Sequence, residues 1–151
     1  MRKTTAVLLL IGAIVGSLVA PADAGKKKKK PREAVVTYAS PAIGSADATG
    51  TCPDGCPTFG VAATERYLTL KIEDDSGLAP AATIGQDSDP NDNFVDRIGE
   101  VCGETEAAIP VVPGAQVVVW VWATPRLVAG GGPCLGAGTS GTITATFSNL
   151  P

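Results

Sequence analysis

Histidine is absent from the 151 residues. Its absence removes the usual base of serine and cysteine hydrolases and the commonest nitrogen ligand for transition metals. Aromatic residues are scarce at 5%, so a core has to be built from aliphatic side chains, and a ring platform can come only from a few positions. Basic residues are scarce as well once residue 33 is passed. From there to the C-terminus the chain carries 4 Lys and Arg against 13 Asp and Glu, a net charge of −9. Nucleic acid is thereby excluded as the main partner of the folded body, because phosphate binding needs a basic face. No segment beyond residue 33 has a convincing helical period, and no internal repeat is visible.

What the chain does have begins at its N-terminus. Arg2 and Lys3 precede an apolar run over residues 6–20, and Ala22 and Ala24 supply small residues at the two positions read by signal peptidase. These features predict an export signal over residues 1–24, with a second acceptable cleavage site after Ala22. As a helix, the run would measure about 22 Å against a hydrocarbon core of roughly 30 Å, so no transmembrane span is expected after processing. Six positive charges, residues 26–30 and Arg32, follow the run and oppose translocation. The cleavage-site residues, four cysteines and a loop-rich β pattern favour export. Residues 25–33 read as a basic tail that cannot fold alone, since its lysines repel and nothing in it can be buried. Such a tail either tethers the domain to anionic cell-envelope polymers or lipid, at roughly 1 kcal/mol per lysine, or serves as a solvated spacer.

Residues 34–151 read as one all-β domain. Strands are expected at 34–40, 58–63, 66–73, 81–86, 94–102, 106–111, 115–124 and 141–148, with a short extra strand at 126–129. Leu68, Leu70 and Ile72 alternate with Tyr67, Thr69 and Lys71, as do Ile143, Ala145 and Phe147 with Thr142, Thr144 and Thr146. About eight strands predict a two-sheet antiparallel sandwich of jelly-roll or Greek-key type. The stretch from Gln116 to Thr124 is apolar on both faces, so it runs centrally, with its second face either covered or offered to a ligand.

Three constellations stand out. Cys52, Cys56, Cys102 and Cys134 imply two disulfides in an exported chain. The turn residues Pro53, Asp54 and Gly55 favour pairing Cys52 with Cys56 and Cys102 with Cys134. A zinc site competes poorly without histidine or paired short spacings. Asp87, Asp89 and Asn91 alternate like the opening ligands of a calcium loop, but Asp92 stands where glycine is expected and Ile98 where a bidentate Glu would close the site. Asp74, Asp75 or Asp96 would have to complete it, and an acidic surface turn is the alternative. Trp120 and Trp122 share one strand face about 7 Å apart, a spacing suited either to stacking sugar rings or to a core pair. Glycoside chemistry would need two carboxylates across a cleft, whereas Glu73, Asp74 and Asp75 read as a strand end and turn.

The order Ile72-Glu73-Asp74-Asp75-Ser76-Gly77, Ile84-Gly85-Gln86-Asp87-Ser88-Asp89, Val101-Cys102-Gly103, Val112-Pro113-Gly114 and the final strand from Gly141 to Phe147 resembles small jelly-roll domains of secreted bacterial proteins. It is most similar to the pre-peptidase C-terminal type. The resemblance covers residues 58–150 and implies an accessory, non-catalytic sandwich, in some cases with calcium at acidic loops. The chain departs from that pattern by standing without a catalytic domain. The expectation is a secreted, non-enzymatic binding or structural module, possessing no certain cofactor, with carbohydrate binding through Trp120 and Trp122 as the alternative.

Overall fold

The computed structural model describes residues 29–44, 52, 54–89, 95–128 and 132–151. The predicted leader and the first part of the basic tail lie outside them. The strands are β1 (Arg32–Tyr38), β2 (Thr58–Gly60), β3 (Tyr67–Asp74), β4 (Ala81–Asp87), β5 (Asp96–Cys102), β6 (Ile109–Pro110), β7 (Gln116–Val121), β8 (Arg126–Val128), β9 (Gly132–Cys134) and β10 (Gly141–Ser148). One four-stranded sheet has the order β1-β10-β3-β6 and the other β2-β7-β4-β5, all antiparallel, and β8 and β9 form a separate hairpin. With that hairpin set aside, the chain crosses repeatedly between the two sheets in the winding of a jelly roll. No helix among the described residues is long and apolar enough to cross a membrane.

The core forms where the apolar faces of both sheets meet. Leu68, Leu70 and Ile72 of β3 stand opposite Phe147, Ala145 and Ile143 of β10. Val117, Val119 and Val121 of β7 and Ala82 and Ile84 of β4 close over them from the second sheet. Burying each large aliphatic side chain stabilises the fold by roughly 1.5–3 kcal/mol before entropy is counted. Gln86 is also buried, yet fully engaged: its amide donates to the Val112 carbonyl and accepts from the Val112 amide, fastening the loop before β7.

Several boundaries differ from the sequence expectation. β1 begins at Arg32, inside the stretch assigned to the tail, because Arg32 finds a buried carboxylate 33 positions away. β7 stops at Val121, and Trp122 makes only an isolated bridge to Ala42. β9 falls in a glycine-rich stretch expected to be loop. Its strand is specified by pairing with β8 in the register Arg126 with Cys134, not by side-chain alternation. β5 carries a bulge at Ile98 against β4, where the partner of Ile84 is Gly99 and that of Gly85 is Arg97.

The second sheet also has a third layer. Behind it lies a smaller cluster of Ala42, Ala81, Trp120, Trp122, Val128 and Cys134, with both disulfides at its margin. Ala42 is held by hydrogen bonds from its amide to the Val121 carbonyl and from the Ala123 amide to its own carbonyl.

Candidate functional site

The two tryptophans do project from the same face of the β7 segment, but the third layer covers them. Trp120 is 5% exposed and Trp122 2%. Trp122 donates its indole N–H to Thr83 Oγ1 at 2.8 Å, and the Arg126 guanidinium lies 3.4 Å above its ring centroid. Trp120 packs where β4 has no side chain: a Cβ at Gly85 would stand 2.5 Å from its Cζ3. Stacking a sugar needs an open ring face, and these rings face Arg126, Ala42, Val128 and the disulfides instead. The signal that could have located the cover lies in the cysteines. Cys52–Cys56 and Cys102–Cys134 are the bonds formed, with Cys134 inside the tryptophan cluster and the other three cysteines packed against it.

In the acidic loop, Asp87 ends β4 half-buried and Asp89 follows it on the surface. Asn91 lies outside the described residues. Among the described residues no group of three or more acidic or cysteine side chains is gathered about a point suited to a metal ion.

Asp74 and Asp75, proposed from the sequence as auxiliary cation ligands, have structural work. Asp74 Oδ1 accepts from the Ser76 amide at 3.0 Å and the Gly138 amide at 2.8 Å, while Oδ2 accepts from the Tyr38 hydroxyl. Asp75 accepts from the Thr139 hydroxyl at 2.6 Å and the Ser140 amide at 3.1 Å, and its own amide donates to the Ser140 carbonyl. The pair thus clamps the 138–140 segment that leads into β10. Burial would raise the Asp74 carboxyl, but the hydrogen bonds from Ser76, Tyr38 and Gly138 outweigh it and hold the group below the usual carboxylate range. Burial first, then the Asp74 carboxylate, pushes the Tyr38 hydroxyl far above the ordinary phenol range. Gly138 is required at the clamp, since a Cβ there would collide with Asp75 Oδ1.

A groove of about 450 Å³ runs beside this clamp, lined among others by Lys71, Glu73, Leu78, Cys102 and Glu104. Its charged groups are partly self-matched, as Lys71 Nζ lies 2.9 Å from Glu73 Oε1. Both Asp74 oxygens already accept bonds from the protein, Oδ1 from the Gly138 amide and Oδ2 from the Tyr38 hydroxyl.

The remaining distinctive feature is the root of the basic tail. Arg32 Nε and Nη2 reach Glu65 Oε1 and Oε2 at 2.7 and 2.8 Å, a forked, two-point pair. Nη2 also donates to the Gly60 carbonyl at 2.7 Å, and the guanidinium lies 4.4 Å over the Phe147 ring. Glu65 is 6% exposed and takes a further bond from the Ala62 amide. Its hydrogen bond to Arg32 is the main reason its carboxyl is held below the ordinary range, against the opposing effect of burial. Immediately before this anchor, Lys29 and Lys30 are exposed and help line a smaller pocket of about 170 Å³ with Thr64, Ser148 and Asn149.

No family model, curated protein or solved structure matches the chain.

Proposed function

We propose that this protein is an exported, non-catalytic jelly-roll module held at anionic polymers of the cell envelope by its lysine run. The observation that carries the reading is the anchor at Arg32. The last charge of the basic stretch is folded into the sandwich through Glu65, Gly60 and Phe147, so residues 26–30 are joined to a fixed point on an otherwise acidic body. A run of five lysines at an anionic surface gains roughly 1 kcal/mol each, enough to hold a domain without a built pocket. Two disulfides suit an oxidising compartment and support export, together with the leader-like residues 1–24. The non-catalytic part of the reading draws support from the absence of histidine and from the structural engagement of Asp74 and Asp75. It agrees with the accessory role implied by the likeness to pre-peptidase C-terminal domains.

The test uses the processed chain and a poly(glycerol phosphate) polymer as probe. Retention that weakens steeply with salt, and that is lost when residues 26–30 are changed to glutamine, is the expected result. Equal retention by the glutamine variant, or none by the natural chain at low salt, overturns the tether. Turnover of a glycan or peptide, abolished by changing an acidic pair, overturns the non-catalytic reading.

A further inference from the structure

The sandwich has four sheet edges, and three of them are protected against pairing. β2 is three residues long. The β6 edge is continued by residues 103–105, which bond to β3 through the Ile72 amide to the Gly103 carbonyl and the Thr105 amide to the Leu70 carbonyl. β5 carries Asp96, Arg97 and Glu100 among its seven residues, and edge charges discourage a second strand. β1 differs, because after Arg32 and Glu33 it runs Ala-Val-Val-Thr-Tyr with no charge, proline or bulge.

The hydrogen-bonding direction of that edge follows from the register. Leu70 and Ile72 bond outward from β3, so Thr69, Lys71 and Glu73 turn to Thr146, Thr144 and Thr142 of β10. Ile143, Ala145 and Phe147 then turn to Val36, Ala34 and Arg32. Glu33, Val35 and Thr37 are left to direct their amides and carbonyls away from the sheet. Val35 is 57% exposed, on the solvent face of the strand.

We propose that β1 pairs antiparallel with β1 of a second copy of this chain about a two-fold axis at Val35, joining two four-stranded sheets into one of eight. In this register Val35 faces Val35 of the second copy, and Glu33 faces Thr37 in both directions, so every outward amide meets an outward carbonyl. The two apolar Val35 side chains cover one another on the same face. A second copy suits this edge in charge, because the two-fold sets Glu33, the one acidic residue of β1, opposite the neutral Thr37, so no like charges oppose one another. The two Arg32 residues stand at opposite ends of the joined strands, about 20 Å apart. Two tails per particle would give the assembly two-point attachment to a polymer.

The experiment is sedimentation velocity with light scattering on the processed full chain over a wide concentration range. The natural chain is expected to form a concentration-dependent dimer. Val35→Pro removes one outward amide at a tolerated edge position and should raise the dimer dissociation constant at least about tenfold. Val35→Lys, which keeps the backbone donor but adds like charges face to face, should act in the same direction. Circular dichroism and thermal melting of both variants identify loss of folding. A natural chain that stays monomeric at the highest concentration overturns the proposal. So does a dimer whose affinity is unchanged in a folded Val35→Pro or Val35→Lys protein.

Discussion

Gly85→Ala tests the packing of the tryptophan face with the smallest available change. Glycine within a strand ordinarily weakens it, and replacing it by alanine at a compatible backbone angle gains about 0.4–1 kcal/mol by restricting the unfolded chain. Gly85 does not have the positive φ that reserves a position for glycine. Sterics decide the sign instead. The added methyl would lie 2.5 Å from Trp120 Cζ3, 2.7 Å from Trp120 Cη2 and 2.5 Å from Val95 Cγ1. Relieving the contact requires the ring to retreat by about 1 Å to reach ordinary carbon–carbon separation. Trp120 is 5% exposed within a closed cluster, so retreat disturbs neighbours on its far side. Overpacking of this kind costs about 1–3 kcal/mol, and the net loss after the backbone gain is about 1–2 kcal/mol. The assay is urea unfolding with Gly60→Ala as control, since a methyl at Gly60 meets nothing within 4 Å and should be neutral or stabilising. Adding Trp120→Leu to Gly85→Ala should recover part of the loss, a coupling that additive effects would not produce. If Gly85→Ala is as stable as the control, the ring does not pack over β4 and its face is open to a ligand after all.

Three further outcomes follow from the anchor, the clamp and the disulfides. Arg32→Ala should cost about 1–2 kcal/mol in chemical denaturation, discounted because the guanidinium is partly exposed while Glu65 is not. Glu65 has a lowered folded-state value, so its contribution is present above the ordinary carboxylate range and is lost as pH falls through the folded value; the variant should show a shallower acid limb. Tyr38→Phe removes the donor to Asp74 and should cost about 1 kcal/mol near neutrality. Because the Tyr38 value is raised, its contribution is complete below the ordinary phenol value of about 10 and declines above it, a decline the phenylalanine variant should lack. Replacing Cys102 and Cys134 by alanine should cost about 3–4 kcal/mol for a separation of 32 residues, and replacing Cys52 and Cys56 about 2 kcal/mol for a separation of 4, measured as shifts in unfolding midpoint.

The sandwich was legible where one face is wet. β3 and β10 alternate cleanly in sequence, and both pair over their whole length as that alternation requires. β4 is less clear because it is buried on both faces, and only its length and flanking turns mark it as a strand. β9 could not be read, since Gly-Pro-Cys carries no alternation and its pairing with β8 is a tertiary fact. At the tryptophan face, the sequence left open what covers the rings. Trp120 and Trp122 look the same exposed or buried until the Ala42 segment and the hairpin are placed on them. Arg32 looked like one more solvated charge because its partner Glu65 is remote in the chain. Asp74 and Asp75 were read as a strand end and turn, which they are, but their grip on residues 138–140 depends on contacts about 64 positions away.

The most direct measurement of the proposal that the domain is exported and disulfide-fastened is the intact mass of the protein recovered from outside the cell, alkylated with and without prior reduction. The account predicts a chain beginning at Gly25 that takes up no alkyl groups until reduced and then takes up four, one for each cysteine. A retained leader, or alkylation of the folded protein without reduction, would contradict it.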